Sequence, residues 1–446
     1  MLSLQKLDQI YKLLIAFSLL FLLSACDDKK DLKTPLEPTG GVISNNALSY
    51  LNSLRLNSNL STLSKNDILT TSAQNHAKYT FINKVDSHNE VSNLPNFTGQ
   101  TPKDRAFSVG YFTQISENLS VGAEDEVASI DGLMSAIYHR FGFLDTKINE
   151  IGYAKFGDEK SQNFVYNMGN SKLNDFCKKA KSDDGYGKFY TKVCKNENVA
   201  ISGDKHNSLN RIDKNEYVYF PNSGQTKAFF SRETPDPMPE CKITANPVSI
   251  EFNEFNKPVK MKSFKVFENE NELKNSKILT KQNDPNSIFN EFQFAFFSKD
   301  VFKFNQDYKV LFSYIQDNKE KNLEWSFKTS SPKFPYFVVK DGDKIGVEAN
   351  KWYSIFFEPN DCNDVFTSYK TTYRFMKKPL IESVDTNLIN INLSGSKNAK
   401  LTIKTDNGKK ITVYITNSSG GFFINKLYLG VILVIVLALF FIIRRR

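Results

Sequence analysis

The sequence contains few of the residues that most often carry out enzyme chemistry. Its 446 residues include four histidines, five cysteines and two tryptophans. It has no Gly-x-Ser-x-Gly, no His-Glu-x-x-His and no glycine-rich phosphate loop, which argues against a nucleophilic serine, a zinc protease of that type and a nucleotide-dependent enzyme. No Cys-x-x-Cys pair occurs, so zinc held by thiolates has no support. The net charge of +9 comes without a basic stripe, so nucleic acid is not an expected partner.

The first residues have the features of an export signal. A basic start precedes an apolar run from Leu13 to Leu23, and Cys26 directly follows Leu-Ser-Ala. These are features of a secretory signal rather than of a spanning helix. The cysteine in this position resembles a bacterial lipobox, in which the thiol receives diacylglycerol. We therefore predict a lipoprotein signal peptide over residues 1–25, lipidation at Cys26 and a polar tether over residues 26–42. The alternative is an ordinary signal peptide with a chance cysteine.

A second apolar segment lies near the C-terminal end of the sequence. Leu427 to Ile443 is unbroken apolar sequence and is followed by three arginines. Because about 20 apolar residues span a bilayer, we predict a single transmembrane helix over residues 422–443 with the arginines in the cytoplasm. The alternative with the same topology is a sorting tail that a protease removes. No Leu-Pro-x-Thr-Gly motif precedes the helix, so sortase attachment is not expected.

Four cysteines are left once one is assigned to lipid. An even number in an oxidising compartment suggests two disulfides. Three pairings are possible, and we favour the local pair Cys177–Cys194 together with Cys241–Cys362.

Hydrophobic periodicity predicts a multidomain α+β protein. Helical spacing followed by two strand-like runs indicates a layered α/β domain over residues 43–172. A connector rich in Lys, Asp and Asn, over residues 173–234, follows it. Residues 235–331 alternate in short strands typical of a β-sandwich. They resemble bacterial Ig-like modules that open with Asn-Pro-Val-Ser-Ile-Glu-Phe-Asn and close with Trp-x-Phe-x-Thr. We interpret residues 332–417 as a further small β-domain.

The first domain carries a recurring set of short motifs. In order they read ALSYLNSLR, AQNHAKY, VDSHNE, FTGQTPKDRA, SENLS, YHRFGFLD and NEIGYA. The set resembles the bacterial branch of the CAP superfamily, which comprises the cysteine-rich secretory, antigen-5 and pathogenesis-related (SCP-like) proteins. The resemblance implies an α/β/α sandwich with a central groove that holds two histidines and two glutamates.

Only part of that groove can be carried over to this sequence. The resemblance assigns His88 as the first histidine, Glu117 in SENLS as the first glutamate and His139 as the second histidine. The second glutamate has no clear counterpart, so Asp131 and Ser135, one or two turns before His139, are the candidates to replace it at a binding position. We expect His76, beside an apolar helix stripe, to be a satisfied helix-side histidine.

Two imidazoles and a carboxylate in one groove have three possible uses. His88, Glu117 and His139 can bind a divalent cation such as Zn²⁺, provide a catalytic acid and base, or simply hydrogen-bond one another. The sequence predicts a membrane-anchored protein of the bacterial envelope, periplasmic or extracellular, whose groove binds lipid, glycan or peptide. The alternative is a metal-dependent or acid/base hydrolase of envelope material, and a purely architectural adhesin also stays open.

Overall fold

The computed structural model describes residues 32–38, 46–158, 161–222, 224–231 and 233–417. The predicted signal peptide, Cys26 and the predicted helix over residues 422–443 lie outside these ranges. Within them, no helix is both long enough and apolar enough to cross a membrane. The described residues divide into two compact units. We call the unit with residues 46–333 and 359–365 the large unit, and the unit with residues 32–37, 334–358 and 366–417 the small unit.

The first domain of the large unit has helices on both faces of one sheet. Its elements are α1 (Ala47–Asn57), β1 (Ser64–Lys65), α2 (Asp67–Asn83), α3 (Pro102–Ser108), β2 (Ser116–Ala123), α4 (Glu126–Ser135), α5 (Ile137–Phe143), β3 (Glu150–Gly157) and β4 (Gln162–Gly169). The strand order is β1–β3–β4–β2, with only the β1–β3 pair parallel. Polar side chains begin the helices: Asn46 caps α1, Asn66 caps α2, and Thr101 with Asp104 forms a capping box on α3.

Strand alternation explains the layers of this domain. Successive side chains of a strand point to opposite faces of its sheet. Val165 of β4 packs with α2, whereas Phe164 and Tyr166 pack with α1 and α4. The helix α2 also comes so close to β3 that a Cβ on Gly152 would lie 2.0 Å from its backbone. The predicted α/β/α arrangement is therefore present.

The segment between this domain and the sandwich contains regular structure. Its elements are α6 (Ser171–Lys178), β5 (Phe189–Tyr190), β6 (Ile201–Ser202), α7 (Gly203–Asn210), β7 (Tyr217–Phe220), β8 (Gln225–Thr226) and β9 (Phe229–Phe230). The disulfide Cys177–Cys194 lies in a small core with Leu173, Val199 and Ile201. The polar composition of the segment did not reveal this core. A disulfide stabilises a small fold, so that only a few apolar residues are needed to complete its core.

Two packed sheets follow. Their remaining strands are β11 (Val248–Phe252), β12 (Lys260–Glu268), β13 (Asn271–Glu272), β14 (Ser276–Leu279), β15 (Gln293–Ser298), β16 (Asp307–Gln316) and β17 (Lys319–Thr329). The short strand β10 (Thr244–Ala245) pairs with β9 in a separate two-stranded sheet. The sheet orders are β14–β15–β11–β7 and β13–β12–β16–β17–β8. Each sheet thus takes one strand from the segment predicted as a connector, so strand pairing begins at Tyr217 rather than at residue 235. The disulfide Cys241–Cys362 confirms the second predicted pair.

The small unit is a second β-sandwich. Its strands are β18 (Tyr336–Val339), β19 (Lys344–Val347), β20 (Trp352–Phe357), β21 (Tyr369–Met376), β22 (Leu380–Asp385), β23 (Leu388–Asn392), β24 (Gly395–Thr405) and β25 (Lys410–Ile415). The sheet orders are β18–β20–β23–β22 and β19–β25–β24–β21.

Part of the predicted tether belongs to this small unit. Lys33 bridges to Ile345 of β19, and Leu36 bridges to Tyr336 of β18. Because β18 and β19 are edge strands of the two sheets, the short segment 32–37 supplies backbone partners to both edges. Residues 32–37 of the predicted tether therefore pair with the small unit through backbone hydrogen bonds, which a polar composition does not reveal.

Candidate functional site

A buried group of charged side chains lies beneath the loop between α2 and α3. It consists of His76 on α2, Glu90 in the loop, Arg105 on α3 and Glu117 on β2, each with at most 1 % of its side chain exposed. The Nη2 of Arg105 donates to both oxygens of Glu117 at 2.8 Å, and Nδ1 of His76 lies 2.9 Å from Glu90 Oε1. Buried charges are stable only when they are paired in this way.

This buried group holds His88 at the surface of the domain. Arg105 Nη1 donates to the backbone oxygen of His88 at 2.9 Å, and Nδ1 of His88 lies 3.0 Å from Glu117 Oε1. The side chain of His88 is 42 % exposed, although its carboxylate partner is buried. The imidazole is therefore fixed at one nitrogen and open to solvent on its other side.

His139, on α5, lies beside His88. The two ring centroids are 6.1 Å apart, with 27° between the ring planes. Asn118, the neighbour of Glu117 on β2, donates to the backbone oxygen of His139 at 2.8 Å. The Glu-Asn pair of the SENLS motif thus contacts both histidine positions, one by its carboxylate and the other by its amide.

The partner of the His139 imidazole comes from outside the first domain. Nδ1 of His139 lies 2.7 Å from Oε1 of Glu233, whose side chain is fully buried. Each of the two imidazoles therefore has its Nδ1 against a buried carboxylate. Among the described residues, neither Nε2 has a hydrogen-bond partner. Nδ1 bound to a carboxylate favours the tautomer in which Nε2 is an acceptor.

The charge on Glu117 is set by its surroundings. Burial by itself would raise the pKa of this carboxyl, but the hydrogen bond from His88 and the positive charges of His76, Arg105 and His88 hold the pKa below its usual value. Glu117 is therefore ionised at neutral pH and can stabilise a protonated His88.

Three of the predicted site residues lie together and two lie elsewhere. His88, Glu117 and His139 share the surface described above, which we call the histidine cleft. Asp131 accepts a hydrogen bond from Tyr50, and the Ser135 hydroxyl donates to the backbone oxygen of Asp131 at 2.7 Å. Neither has a contact with the three cleft residues in the described part of the chain. The second carboxylate at the cleft is Glu233 instead.

A metal ion held by the predicted trio does not fit this arrangement. Among the described residues, no group of three or more His, Cys, Asp or Glu side chains is placed to hold a metal ion. Both oxygens of Glu117 accept from Arg105, whose positive charge would oppose a cation there. Only the two Nε2 atoms are left as donors. We assign no chemical step to a metal.

Several residues of the site were not found from the sequence. His76 is a satisfied buried histidine, as expected, but its link to Glu90 and the pairing of Arg105 with Glu117 were not predicted. The nearness of Glu90 to His88 in sequence was no guide, because the partner of Glu90 is His76, 14 positions earlier on α2. Glu233 gave no signal either, since it lies 94 positions from His139.

Comparison with known proteins places the first domain in a family. Residues 48–168 match the model of the cysteine-rich secretory protein (CAP) family. This range contains His88, Glu117 and His139 but not Glu233. Residues 48–168 are therefore a CAP domain, and a β-rich region of Ig-like character follows it. No curated protein sequence matches the chain.

Solved structures also resemble parts of the chain. An outer surface protein from Borrelia burgdorferi is 21 % identical, with a TM-score of 0.25, and the match covers 29 % of this chain and 98 % of that one. An extracellular protein containing an SCP domain from Bacillus anthracis is also 21 % identical, with a TM-score of 0.23, over 28 % of this chain and 44 % of that one. A titin Ig tandem is 10 % identical, with a TM-score of 0.15, over 39 % and 88 % of the respective chains.

Proposed function

We propose that this protein is an exported, membrane-anchored protein of a bacterial envelope whose CAP domain binds a ligand in the histidine cleft. The observation that carries the proposal is the pair of neighbouring imidazoles, His88 and His139, each with Nδ1 against a buried carboxylate. Buried carboxylates fix the orientation of both rings, so that the two Nε2 atoms are pre-organised for a ligand and little side-chain entropy is lost on binding.

The disulfides support an extracytoplasmic location. Two disulfides, Cys177–Cys194 and Cys241–Cys362, suit an oxidising compartment. The lipobox-like Cys26 and the apolar segment at residues 422–443 agree with export and anchoring. Fatty-acid labelling tests the anchor: the chain should incorporate label, and the Cys26→Ala variant should not. A Cys26→Ala variant that is still labelled would contradict lipidation at this residue.

The cleft chemistry suits ligands with hydroxyl, amide or anionic groups. A neutral Nε2 accepts a hydrogen bond, and the protonated ring donates one. The two imidazoles can therefore pair with hydroxyl and amide groups and with anionic groups. Lipid head groups, glycans and peptides all present such groups.

The binding test uses the full chain in detergent with three defined probes. These are phosphatidylglycerol vesicles, soluble muropeptides and a pool of octapeptides. We expect one class to bind and His88→Ala or His139→Ala to weaken its binding about tenfold, since a hydrogen bond to a charged group contributes about 1.5 kcal/mol or more. His206→Ala is the matched control, because His206 stacks on Tyr190 outside the cleft. Binding that survives both cleft substitutions, or binding by none of the probes, contradicts the proposal.

Acid/base hydrolysis is the second candidate function. Two adjacent histidines with separate carboxylate partners can act as proton donor and acceptor. Incubating the chain with muropeptides and following product by mass spectrometry tests this. Cleavage that is lost in both His88→Ala and His139→Ala supports a hydrolase, whereas binding without cleavage supports the binding module.

A divalent cation stays a prediction of the family resemblance. The donors that the cleft offers are the Nε2 atoms of His88 and His139. Elemental analysis of the purified chain tests the prediction: stoichiometric zinc that is lost in His88→Ala would support it, and a chain free of zinc after dialysis against zinc would contradict it.

A further inference from the structure

We infer that Glu233 is the positioning residue for His139, so that the segment leading into the β-sandwich completes the histidine cleft of the CAP domain. The inference concerns a residue outside the family match and deepens the proposed function, on which it rests. It is carried by three independent features: the contacts of one carboxylate oxygen, the burial of Glu233, and the way α5 is held against the sandwich.

One oxygen of Glu233 contacts both the His139 ring and the start of its helix. The residue before α5, Ala136, occupies the N-cap position, and its side chain provides no capping hydrogen bond. Instead, the backbone amides of Tyr138 and His139 donate to Glu233 Oε1 at 2.9 and 3.2 Å. These are the second and third amides of the helix, the ones that a capping side chain normally satisfies. The same oxygen lies 2.7 Å from His139 Nδ1. Glu233 therefore fixes the helix and the imidazole together.

The burial of Glu233 indicates that its charge serves this contact. Its side chain is fully buried, and Oε2 has no hydrogen-bond partner among the described residues. A buried carboxylate is unfavourable unless donors compensate it. The donors here are two helix amides and the His139 ring, which gain most from a full negative charge.

The sandwich side of the large unit also holds α5 through the next residue. Arg140 is fully buried and donates to the backbone oxygen of Pro247 at 2.6 Å, to Asn246 Oδ1 at 2.8 Å and to Ser249 Oγ at 3.0 Å. Apolar residues of α5 pack in one core with residues of the sandwich: Ala136, Ile137, Phe141, Met238, Leu279, Phe289 and Phe297. The short helix is thus oriented from outside the CAP domain, and Glu233 acts on a helix that cannot easily turn away from it.

The cleft therefore contains two similar histidine–carboxylate pairs whose carboxylates come from different parts of the chain. His88 is positioned by Glu117 from within the CAP domain, and His139 is positioned by Glu233 from the following segment. With Nδ1–H donated to Glu233, the His139 ring presents Nε2 as the acceptor. Without the carboxylate, the ring loses both its orientation and its preferred tautomer.

Nitrogen NMR of the full chain in detergent tests the inference. Selective ¹⁵N-histidine labelling gives only four side chains to assign, and His→Gln variants identify them. Glu233→Gln keeps an oxygen that can accept from the helix amides but removes the negative charge. We expect it to move the Nδ1 and Nε2 signals of His139 toward those of a mixed tautomer while those of His88 stay in place, and to weaken ligand binding about tenfold. Glu233→Asp keeps the negative charge, so its His139 signals should lie between those of the parent chain and those of Glu233→Gln.

The control is Glu251→Gln. Glu251 is a carboxylate of the sandwich that accepts a hydrogen bond from Gln293 and, within the residues that the structure describes, from no histidine. It should leave all four histidines unchanged. His139 signals that do not respond to Glu233→Gln would overturn the inference, even if the ligand still binds. If they respond as expected but no probe binds, the positioning role stands and the proposed function fails. The two failures are therefore separate.

Discussion

At the scale of single residues, Arg105 is the residue on which the buried part of the cleft depends. Its guanidinium lies 2.8 Å from both oxygens of Glu117 and 3.7 Å from Glu90 Oε1. Arginine suits this position because its charge persists when buried and its planar group has five donors. With Arg105 absent, Glu117 would lose the donor to both of its oxygens. Glu90 would keep only His76 and Thr98 as partners among the described residues.

The first prediction follows from that charge balance. Arg105→Ala should lower the free energy of unfolding of the large unit by about 3–5 kcal/mol, because removing one partner leaves buried charge uncompensated. Urea denaturation measures the change, followed by Trp325 fluorescence in a Trp352→Phe background. Arg211→Ala, at an exposed arginine, is the control and should change stability by less than about 1 kcal/mol. If the two substitutions lowered the free energy of unfolding equally, the buried charge of Arg105 would not be needed for stability.

Asp131 provides a second residue-scale prediction, this time for pH. Burial raises the pKa of Asp131 to about 6, against the hydrogen bond from Tyr50 and the charge of Lys227. An acid whose pKa is higher in the folded chain binds its proton more tightly when folded. Its ionisation therefore costs stability above pH 6, and this cost disappears as the pH falls to 4.

Asp131→Asn should remove that cost while keeping an oxygen for Tyr50. We expect the variant to be about 2 kcal/mol more stable than the parent chain at pH 8 and equally stable at pH 4. Urea midpoints at the two pH values measure this, with the exposed Asp67→Asn as control. A variant that is less stable at pH 8 would instead mean that the ionised Asp131 is favourable, as expected for a binding residue that has a cationic partner.

The sequence located three of the four side chains at the cleft, for physical reasons. His88, Glu117 and His139 lie in short motifs of one domain, so the resemblance could transfer them. The second carboxylate could not be transferred, because Glu233 reaches His139 only through the packing of α5 on the sandwich. Asp131 and Ser135 have the helical spacing for that role. However, the chain turns between α4 and α5 at Ala136, whose ψ is 114°, so a single continuous helix face does not exist.

At the scale of elements, strands were predicted where apolar and polar residues alternate clearly, and helices where apolar residues recur at helical spacing. The runs in β3, β4, β11 and β16 all appear as strands. The strand β7 carried a usable signal, four consecutive aromatic and aliphatic residues of which Val218 and Phe220 are buried, and it was missed because the sequence around it is polar. The two-residue strand β8 carried no such signal, because it gains its stability from backbone pairing with the sheet it joins. The segment 32–37 was missed for the same reason: it contributes backbone hydrogen bonds, for which the sequence carries no periodic signal.

The third prediction concerns that N-terminal segment. The amide of Leu36 donates to the backbone oxygen of Tyr336, and Tyr336 donates back, both at 2.8 Å. Leu36→Pro removes one donor and should destabilise the pairing by about 1 kcal/mol, which corresponds to roughly fivefold faster hydrogen exchange in β18 and β19. Leu36→Ala is the matched control, because the leucine side chain is 53 % exposed. Exchange that is unchanged by proline would mean that the segment does not pair.

At the scale of the whole molecule, the boundary of the CAP domain in sequence is not a boundary in packing. The first domain and the first sandwich belong to one compact unit, and residues from both make up the core around α5. Arg140 shows why the sequence did not reveal this shared packing. A charged residue such as the arginine of YHRFGFLD is normally expected at the surface, yet Arg140 is fully buried against the backbone of the sandwich. Burial lowers its pKa to about 9, with the charge of Glu233 opposing the change.

The fourth prediction is that the CAP domain and the first sandwich unfold together. Trp325 reports on the sandwich, and hydrogen exchange in β3 and β4 reports on the CAP domain. Because the two regions share a core, their urea transitions should coincide, which is the test of a single cooperative unit. Arg140→Ala should shift both transitions by the same amount, about 3 kcal/mol, since it leaves several buried acceptors unpaired. Arg374→Ala, at an exposed arginine of the small unit, should shift neither. If Arg140→Ala separated the two transitions instead, the two regions would be independent domains that merely touch, and His139 would then be held by the CAP domain alone.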